Sequence, residues 1–289
     1  MKFALKPINS DFPGFAQLID LHAQAKDRAF EAIEIDLSQA TWLDANLCAP
    51  FGAILYKISR SLNTVKLVNL TPKVKSILSK NAFLVSYGVT KSFDTYGTTI
   101  EYKRFEPKDD RYFAEYIEQH LVGKGMPKMS IGLQKKFRES IFEILSNAVL
   151  HSETKLGIFA CGQYFPKGRR LDFSIADLGI GMRENIKKRA GLDLRPEEAI
   201  IWATEGNNTT KTGRIPGGLG LKLLRDFIHL NQGRIQIVSD AGYWEFAKGV
   251  PTTRTFDKPF PGTVVNLEIN AADRHSYCLP SELDAANIF

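Results

Sequence analysis

The sequence predicts an α/β protein built from two successive units, and three observations carry that expectation. Two short alternating segments, Ala32 to Leu37 (AIEIDL) and Thr64 to Leu70 (TVKLVNL), are each followed by apolar residues at helical spacing. Further on, a long helical pattern from Ser130 to His151 precedes two neighbouring alternating segments, Lys155 to Phe165 and Arg170 to Asp177. Tyr96 and Gly97 mark a break between the two sets. The expected organisation is therefore residues 1–97, residues 98–270 and a tail over 271–289.

In the first unit, Pro13 to Arg28 reads as a helix before the strand at Ala32 to Leu37. A loop over Ser38 to Ala45 follows, then a helix over Leu47 to Ser61 with Arg60 at its basic end and Asn63 just beyond. After the second strand, Thr71 is placed to cap a helix with Pro72 in its first turn, running to about Phe83.

The second unit begins with a strand over Thr98 to Phe105. Helices over Asp109 to Val122 and Ser130 to His151 flank a Gly- and Pro-containing linker (GKGMPKM). Pro166-Lys167-Gly168 is the turn between the strands ending at Phe165 and beginning at Arg170. A polar stretch of about 35 residues between Met182 and Gly217 suits a closing lid, since connections of that length are functional or disordered. A helix over Gly220 to Leu230 and strands over Arg234 to Ser239 and Thr263 to Ile269 complete the unit. The tail after Asn270 carries little pattern and is expected to drape over the surface.

With 44% apolar and 24% charged residues, the chain has the balance of a globular protein that buries cores, which excludes a disordered class. No apolar run approaches the roughly 20 residues that cross a bilayer, and Met1 to Ser10 lack a signal-peptide stretch. A cytoplasmic protein without a membrane partner is expected. Cys48, Cys161 and Cys278 are far apart and form no C-x-x-C pair, so packed, reduced thiols are expected rather than a zinc, redox or disulfide framework. The net charge of +6 permits an anionic partner. Its lysines and arginines are scattered among acids, so a solvated surface is favoured and nucleic acid is not indicated.

Three segments carry chemistry. Glu143, Asn147 and His151 are spaced four apart on the central helix and share one face, beside an apolar face of Phe137, Ile141, Ile144, Leu145 and Ala148. A carboxylate and an amide oxygen facing one way suit a hard cation and an activated water. Taken alone, the same pattern describes a polar stripe on an amphipathic helix. Asp177, ending a strand with Leu171, Phe173 and Ile175 on one face, is followed by Gly179 and Gly181. That arrangement suits a carboxylate accepting from an exocyclic amine, and equally a strand ending in a turn. The segment Pro216-Gly217-Gly218-Leu219-Gly220 opens a helix, where bare backbone N–H groups meet phosphate oxygens. It is not a P-loop, because no G-x-x-x-x-G-K-[ST] occurs.

In this order, E-x-x-x-N-A from Glu143, D-x-G-x-G from Asp177, G-G-L-G-L before a helix and a final Gly262-Thr263 strand resemble the motifs of the GHKL superfamily. That superfamily includes gyrase B subunits, histidine kinases and anti-sigma-factor serine kinases. The likeness covers about Thr98 to Asn270. It implies the Bergerat fold, an α/β sandwich that binds ATP with Mg²⁺. By the same resemblance Asn147 would hold Mg²⁺, Asp177 would read the adenine amine, and Gly179 and Gly181 would line the adenine pocket. Gly218 and Gly220 would face the phosphates, and Thr263 would help hold a water near adenine. Glu143 matches the general base of the hydrolysing and serine-kinase members. Thr209, Lys211 and Arg214 fall where lid residues touch phosphate, and His151 reads as structural.

The first unit, through Ile33-Glu-Ile-Asp36-Leu-Ser, Trp42-Leu-Asp44-Ala-Asn46-Leu and Val65-Lys-Leu-Val-Asn69-Leu-Thr-Pro, resembles the STAS domains of anti-sigma-factor antagonists. Where phosphorylated STAS proteins carry Ser or Thr, Ala45 and Asn46 stand here, which argues against a self-phosphorylated switch. Ser38 and Thr41 are other hydroxyls in the loop, and nothing singles them out.

These resemblances imply a Mg²⁺-dependent ATPase with slow hydrolysis, coupled to a regulatory protein-interaction module. A serine/threonine protein kinase of the anti-sigma type and a non-enzymatic, nucleotide-gated interaction protein are the alternatives. A regulatory protein partner is expected under each, and a homodimer is one form of it. A histidine kinase is disfavoured because His22 and His120 lie in short helices without a dimerisation context, and no H-R-D loop supports a eukaryotic-type kinase.

Overall fold

The computed structural model describes residues 1–121, 124–150, 154–205 and 219–282. It is mixed α/β, with a five-stranded antiparallel sheet at its centre and a smaller parallel sheet beside it. The parallel sheet holds β1 (Lys2–Ala4), β2 (Ala32–Asp36) and β3 (Thr64–Val68), in that order. Three residues are too short for a visible alternation, so β1 is an addition to the sequence reading. Around this sheet lie α1 (Phe12–Ala25), α2 (Cys48–Arg60) and α3 (Pro72–Lys80). Asp11 caps α1 by accepting from the Gly14 N–H at 2.8 Å. Thr71 caps α3 as expected, accepting from Val74 N–H at 3.5 Å. Helix α3 stops at Lys80 rather than near Phe83, and Ala82 there takes a left-handed φ of 65°.

The central sheet is built from β4 (Thr99–Phe105), β6 (Ile158–Phe165), β7 (Arg170–Asp177), β8 (Arg234–Ala247) and β9 (Val250–Asn270), in the order β4-β6-β7-β9-β8. Helices α4 (Asp110–Leu121), α5 (Ile131–Leu150) and α8 (Leu219–Asn231) pack on one face. Strand side chains alternate between faces. Leu171, Phe173 and Ile175 of β7, Val265 and Leu267 of β9, and Ile235 and Ile237 of β8 pack with the α5 residues Phe137, Ile141, Ile144, Leu145 and Ala148.

The opposite face carries the N-terminal unit. Ala176, Val238 and Val264 share a core with Phe15, Ile35, Leu47 and Phe51. At the centre of this contact the polar residues of the strands are buried and bonded to one another. Asn46 Nδ2 donates to Asn266 Oδ1 at 2.7 Å and Ser10 Oγ at 2.9 Å, with Ser174 Oγ 3.2 Å away. Ser174 Oγ donates to Asn266 Oδ1 at 2.7 Å, and Asn266 Nδ2 donates to Gln236 Oε1 at 2.6 Å. Asp44 accepts from the Ser10 N–H and the Trp42 indole N–H, and Arg170 reaches it at 3.3 Å.

Several sequence expectations need correction. The stretch beginning at Met182, read as an irregular lid, contains α6 (Gly181–Ala190) and α7 (Pro196–Thr204), with Pro196 in the first turn of α7. Polarity hid α6, of whose residues only Gly181 and Ile186 are buried. The strands expected to stop at Ser239 and start at Thr263 continue as a long hairpin, which passes over α1. Phe256 stacks on Phe12 at 4.2 Å, and the Arg254 guanidinium sits 3.6 Å from the Phe12 ring centroid. The tail does not simply drape. Its β10 (Ser276–Tyr277) pairs in parallel with β5 (Lys128–Met129), and Glu282 accepts from the Gly132 N–H at 3.1 Å. Cys48 and Cys161 are buried as expected, whereas Cys278 is exposed. Among the described residues no helix is long and apolar enough to cross a membrane.

Candidate functional site

The sequence-derived residues fall into two clusters on the helix-bearing side of the sheet. At the end of β7, Asp177 is in register with Thr263 of β9, which is in register with Ser239 of β8. Cross-strand partners point the same way. Counting by twos from Ile175, Val265 and Ile237 puts all three on the face of α5 and α8. Asp177 is buried, and its Oδ1 accepts from the Gly179 N–H at 2.8 Å, so the backbone following the strand fixes the carboxylate. Ser239 Oγ and Thr263 Oγ1 are 2.9 Å apart in a hydrogen bond, and Ser239 Oγ accepts from the Met182 N–H at 2.8 Å. Ser239 was not among the expected site residues; it pairs with Thr263, distant in the chain, and left no local signal.

The glycines here are spatial requirements. Gly262 has φ 156°, and a Cβ built on it would lie 2.1 Å from the Asp177 carbonyl oxygen. Gly181 opens α6 with φ 77° and faces Ser239 Oγ. The site thus depends on backbone approaching backbone, which only glycine allows.

The second cluster lies between α5 and α8. Glu143 and Asn147 sit one turn apart on α5, both half-buried. Gly220 N–H donates to Glu143 Oε2 at 2.9 Å, tying the carboxylate to the first turn of α8. A Cβ on Gly220 would be 2.7 Å from that oxygen, so a larger residue would displace the Glu143 carboxylate. Negative charge at a helix start is favoured by the helix dipole and unpaired N–H groups.

Thr209, Lys211, Arg214, Gly218 and His151 lie outside the described residues. Of the two histidines weighed as phosphoacceptors, His22 is buried and His120 half-buried. His22 of α1 is 7% exposed, and burial, with Lys57 and Lys26 nearby, pushes its pKa down to about 4. His120 of α4 is also lowered by burial. Among the described residues no group of three His, Cys, Asp or Glu side chains is arranged to hold a metal ion. A cation here would lean on Asn147, water and phosphate oxygens.

The chain matches no protein-family model. Over 157 residues, 53% of its length, it is 27% identical to the circadian input-output histidine kinase CikA of Synechococcus elongatus. It covers 19% of that protein, so the likeness concerns one region of a much longer chain.

Proposed function

We propose that the chain binds ATP with magnesium on the helix-bearing side of the sheet, hydrolyses it slowly, and passes the nucleotide state to a protein partner through its N-terminal, STAS-like unit. One observation carries this reading. The row Asp177–Thr263–Ser239 shares a sheet face with α5, whose Glu143 meets the opening turn of α8. The likeness to a histidine kinase supports it.

In this reading the Bergerat-type site spans both clusters. The Asp177 carboxylate, oriented by Gly179, accepts from the adenine amine, while Gly179 and Gly181 form the wall against the ring. Thr263, bonded to Ser239, holds a water beside the base. Asn147 offers an amide oxygen to Mg²⁺, which when bound neutralises phosphate charge and keeps waters in its other positions. The bare N–H of Gly220 fits a phosphate oxygen, because it already accommodates a carboxylate oxygen and has no Cβ to screen it. Gly218, Thr209 and Lys211 would add contacts to the phosphates. An oxygen arriving at the Gly220 N–H displaces Glu143, whose carboxylate then takes the proton of the attacking water. A serine or threonine hydroxyl in place of that water makes the same arrangement a protein kinase.

Titration with ATP and Mg²⁺ tests the reading. Asp177→Asn should weaken nucleotide binding about tenfold or more while the protein stays folded, because a buried donor then faces the adenine amine. Glu143→Gln should retain binding and lower phosphate release about a hundredfold. With labelled ATP and a cell lysate, label on a protein identifies the kinase and free phosphate the ATPase. A parent chain that takes up no nucleotide ends both readings.

A further inference from the structure

The helix face holds a cavity away from Glu143 and Asn147. It has a volume of about 410 Å³ and lies between α4, β5 and the first turns of α5. That is within the size range of small-molecule sites. Its apolar wall is made by Leu121, Met126, Met129 and Phe137. Methionine thioethers adapt to varied apolar shapes, so this wall accepts a chain or a ring.

The polar lining is one-sided. Lys128, Gln134 and Arg138 are its hydrogen-bonding side chains, and none is an acid. Arg138 pairs with Glu118, while Lys128 forms no ion pair among the described residues. The positive end of α5 is already satisfied, since the Gly132 N–H is taken by Glu282 and the Leu133 N–H by Ser130 Oγ. An anion in this cavity would therefore be read by Lys128 and Arg138, not by the helix end. Gln134 is tied to the Met129 carbonyl oxygen at 3.1 Å, which joins the first turn of α5 to β5. Arg138 is five residues before Glu143, about 7.5 Å along α5, so this cavity and the candidate nucleotide site are separate.

We propose that this cavity binds a small amphipathic carboxylate, its apolar body against Met126 and Phe137 and its head group at Lys128 and Arg138. A cationic lip over an apolar hollow selects against neutral and cationic molecules of the same shape, because a charge-assisted bond is lost with either.

Decanoate is the probe, with decanol as its uncharged counterpart, followed by calorimetry on the full chain. One saturable site is expected, tighter for decanoate than for decanol by about tenfold. Lys128→Glu, at an exposed position, should erase that difference while leaving decanol binding unchanged. Met126→Trp should fill the hollow and abolish binding of both, with thermal unfolding as the control for folding. The proposal is overturned if decanoate fails to saturate, if decanol binds equally well, or if a folded Met126→Trp protein binds as the parent does. Binding that appears only after residues 283–289 are removed would assign the cavity to the chain itself, and overturns it too. None of these outcomes depends on nucleotide binding.

Discussion

The two faces of the central sheet use the same strands for opposite purposes. Toward the N-terminal unit, β7, β9 and β8 place Ser174, Asn266 and Gln236 in mid-strand, buried and bonded to one another and to Asn46. Toward the helices the central positions are apolar, and the polar row Asp177, Thr263 and Ser239 lies where β7 ends and the pairing of β8 with β9 shifts register. A polar group in mid-strand under another layer must find its partners within the protein, and a connected network then specifies one arrangement of the layers. Beside the end of β7, polar groups lie where a ligand can reach them. Position along the strand, not residue type, separates the fastening from the candidate site.

Substitutions on the two faces should therefore have different readouts. The largest stability effect is expected at Asn266. Asn266→Ala removes a partner from Asn46, Ser174 and Gln236, costing about 3 kcal/mol in urea unfolding. Nucleotide affinity per folded molecule should change less than twofold, and a selective loss of affinity would erase the contrast. Gly262→Ala comes next, because its Cβ meets the Asp177 carbonyl oxygen. About 2 kcal/mol of stability should go, and nucleotide binding should fall further than in Asn266→Ala.

Asp172 sharpens the contrast through pH. Its carboxyl, on the face toward the N-terminal unit, is pushed up to about 8 by burial and by Glu268 and Asp44, against the pull of Arg170 and Arg234. Arg170 Nε lies 3.1 Å from Asp172 Oδ2, but neither atom has a hydrogen bond of good geometry. This fits a largely neutral acid beside the guanidinium. The folded state holds a proton that the unfolded chain releases near 3.8, so this contribution is complete below 3.8 and is lost as pH rises through 8. Asp172→Asn should flatten that decline and raise the Tm at pH 8.5 by about 3 °C. A parent that gains stability from pH 5 to 8.5 relative to the variant would contradict the assignment. His22 gives the smallest effect and the opposite slope. Its pKa is lowered from 6.5 to about 4, so stability is complete above 6.5 and is lost as pH falls through 4. His22→Gln should remove that acid limb, changing the Tm near pH 5 by about 2 °C.

Much of the central layer was legible in the sequence, because α5 and β7 each repeat their apolar residues at one clean period. The cover on the second face was not. Alternation marks Asp172, Ser174, Gln236 and Asn266 as the polar side of half-exposed strands, and nothing local says that another unit will bury them. The outer hairpin was hidden by Pro251, Pro259 and Pro261, which speak against a strand interior. At the candidate site, the glycine spacing was visible, but Ser239 and the Glu143–Gly220 bond needed the fold, since they join residues distant in the chain.

Because β7 is read from both sides, its alignment has no slack. A one-residue insertion directly after Arg170 that shifted the strand's register would turn Leu171, Phe173 and Ile175 toward the amides of the N-terminal unit and carry Asp172 and Ser174 in among the helices. Each side would reject the slipped strand independently. Length changes here should abolish folding even where single exchanges are tolerated, confining inherited variation in this strand to replacements that keep its frame.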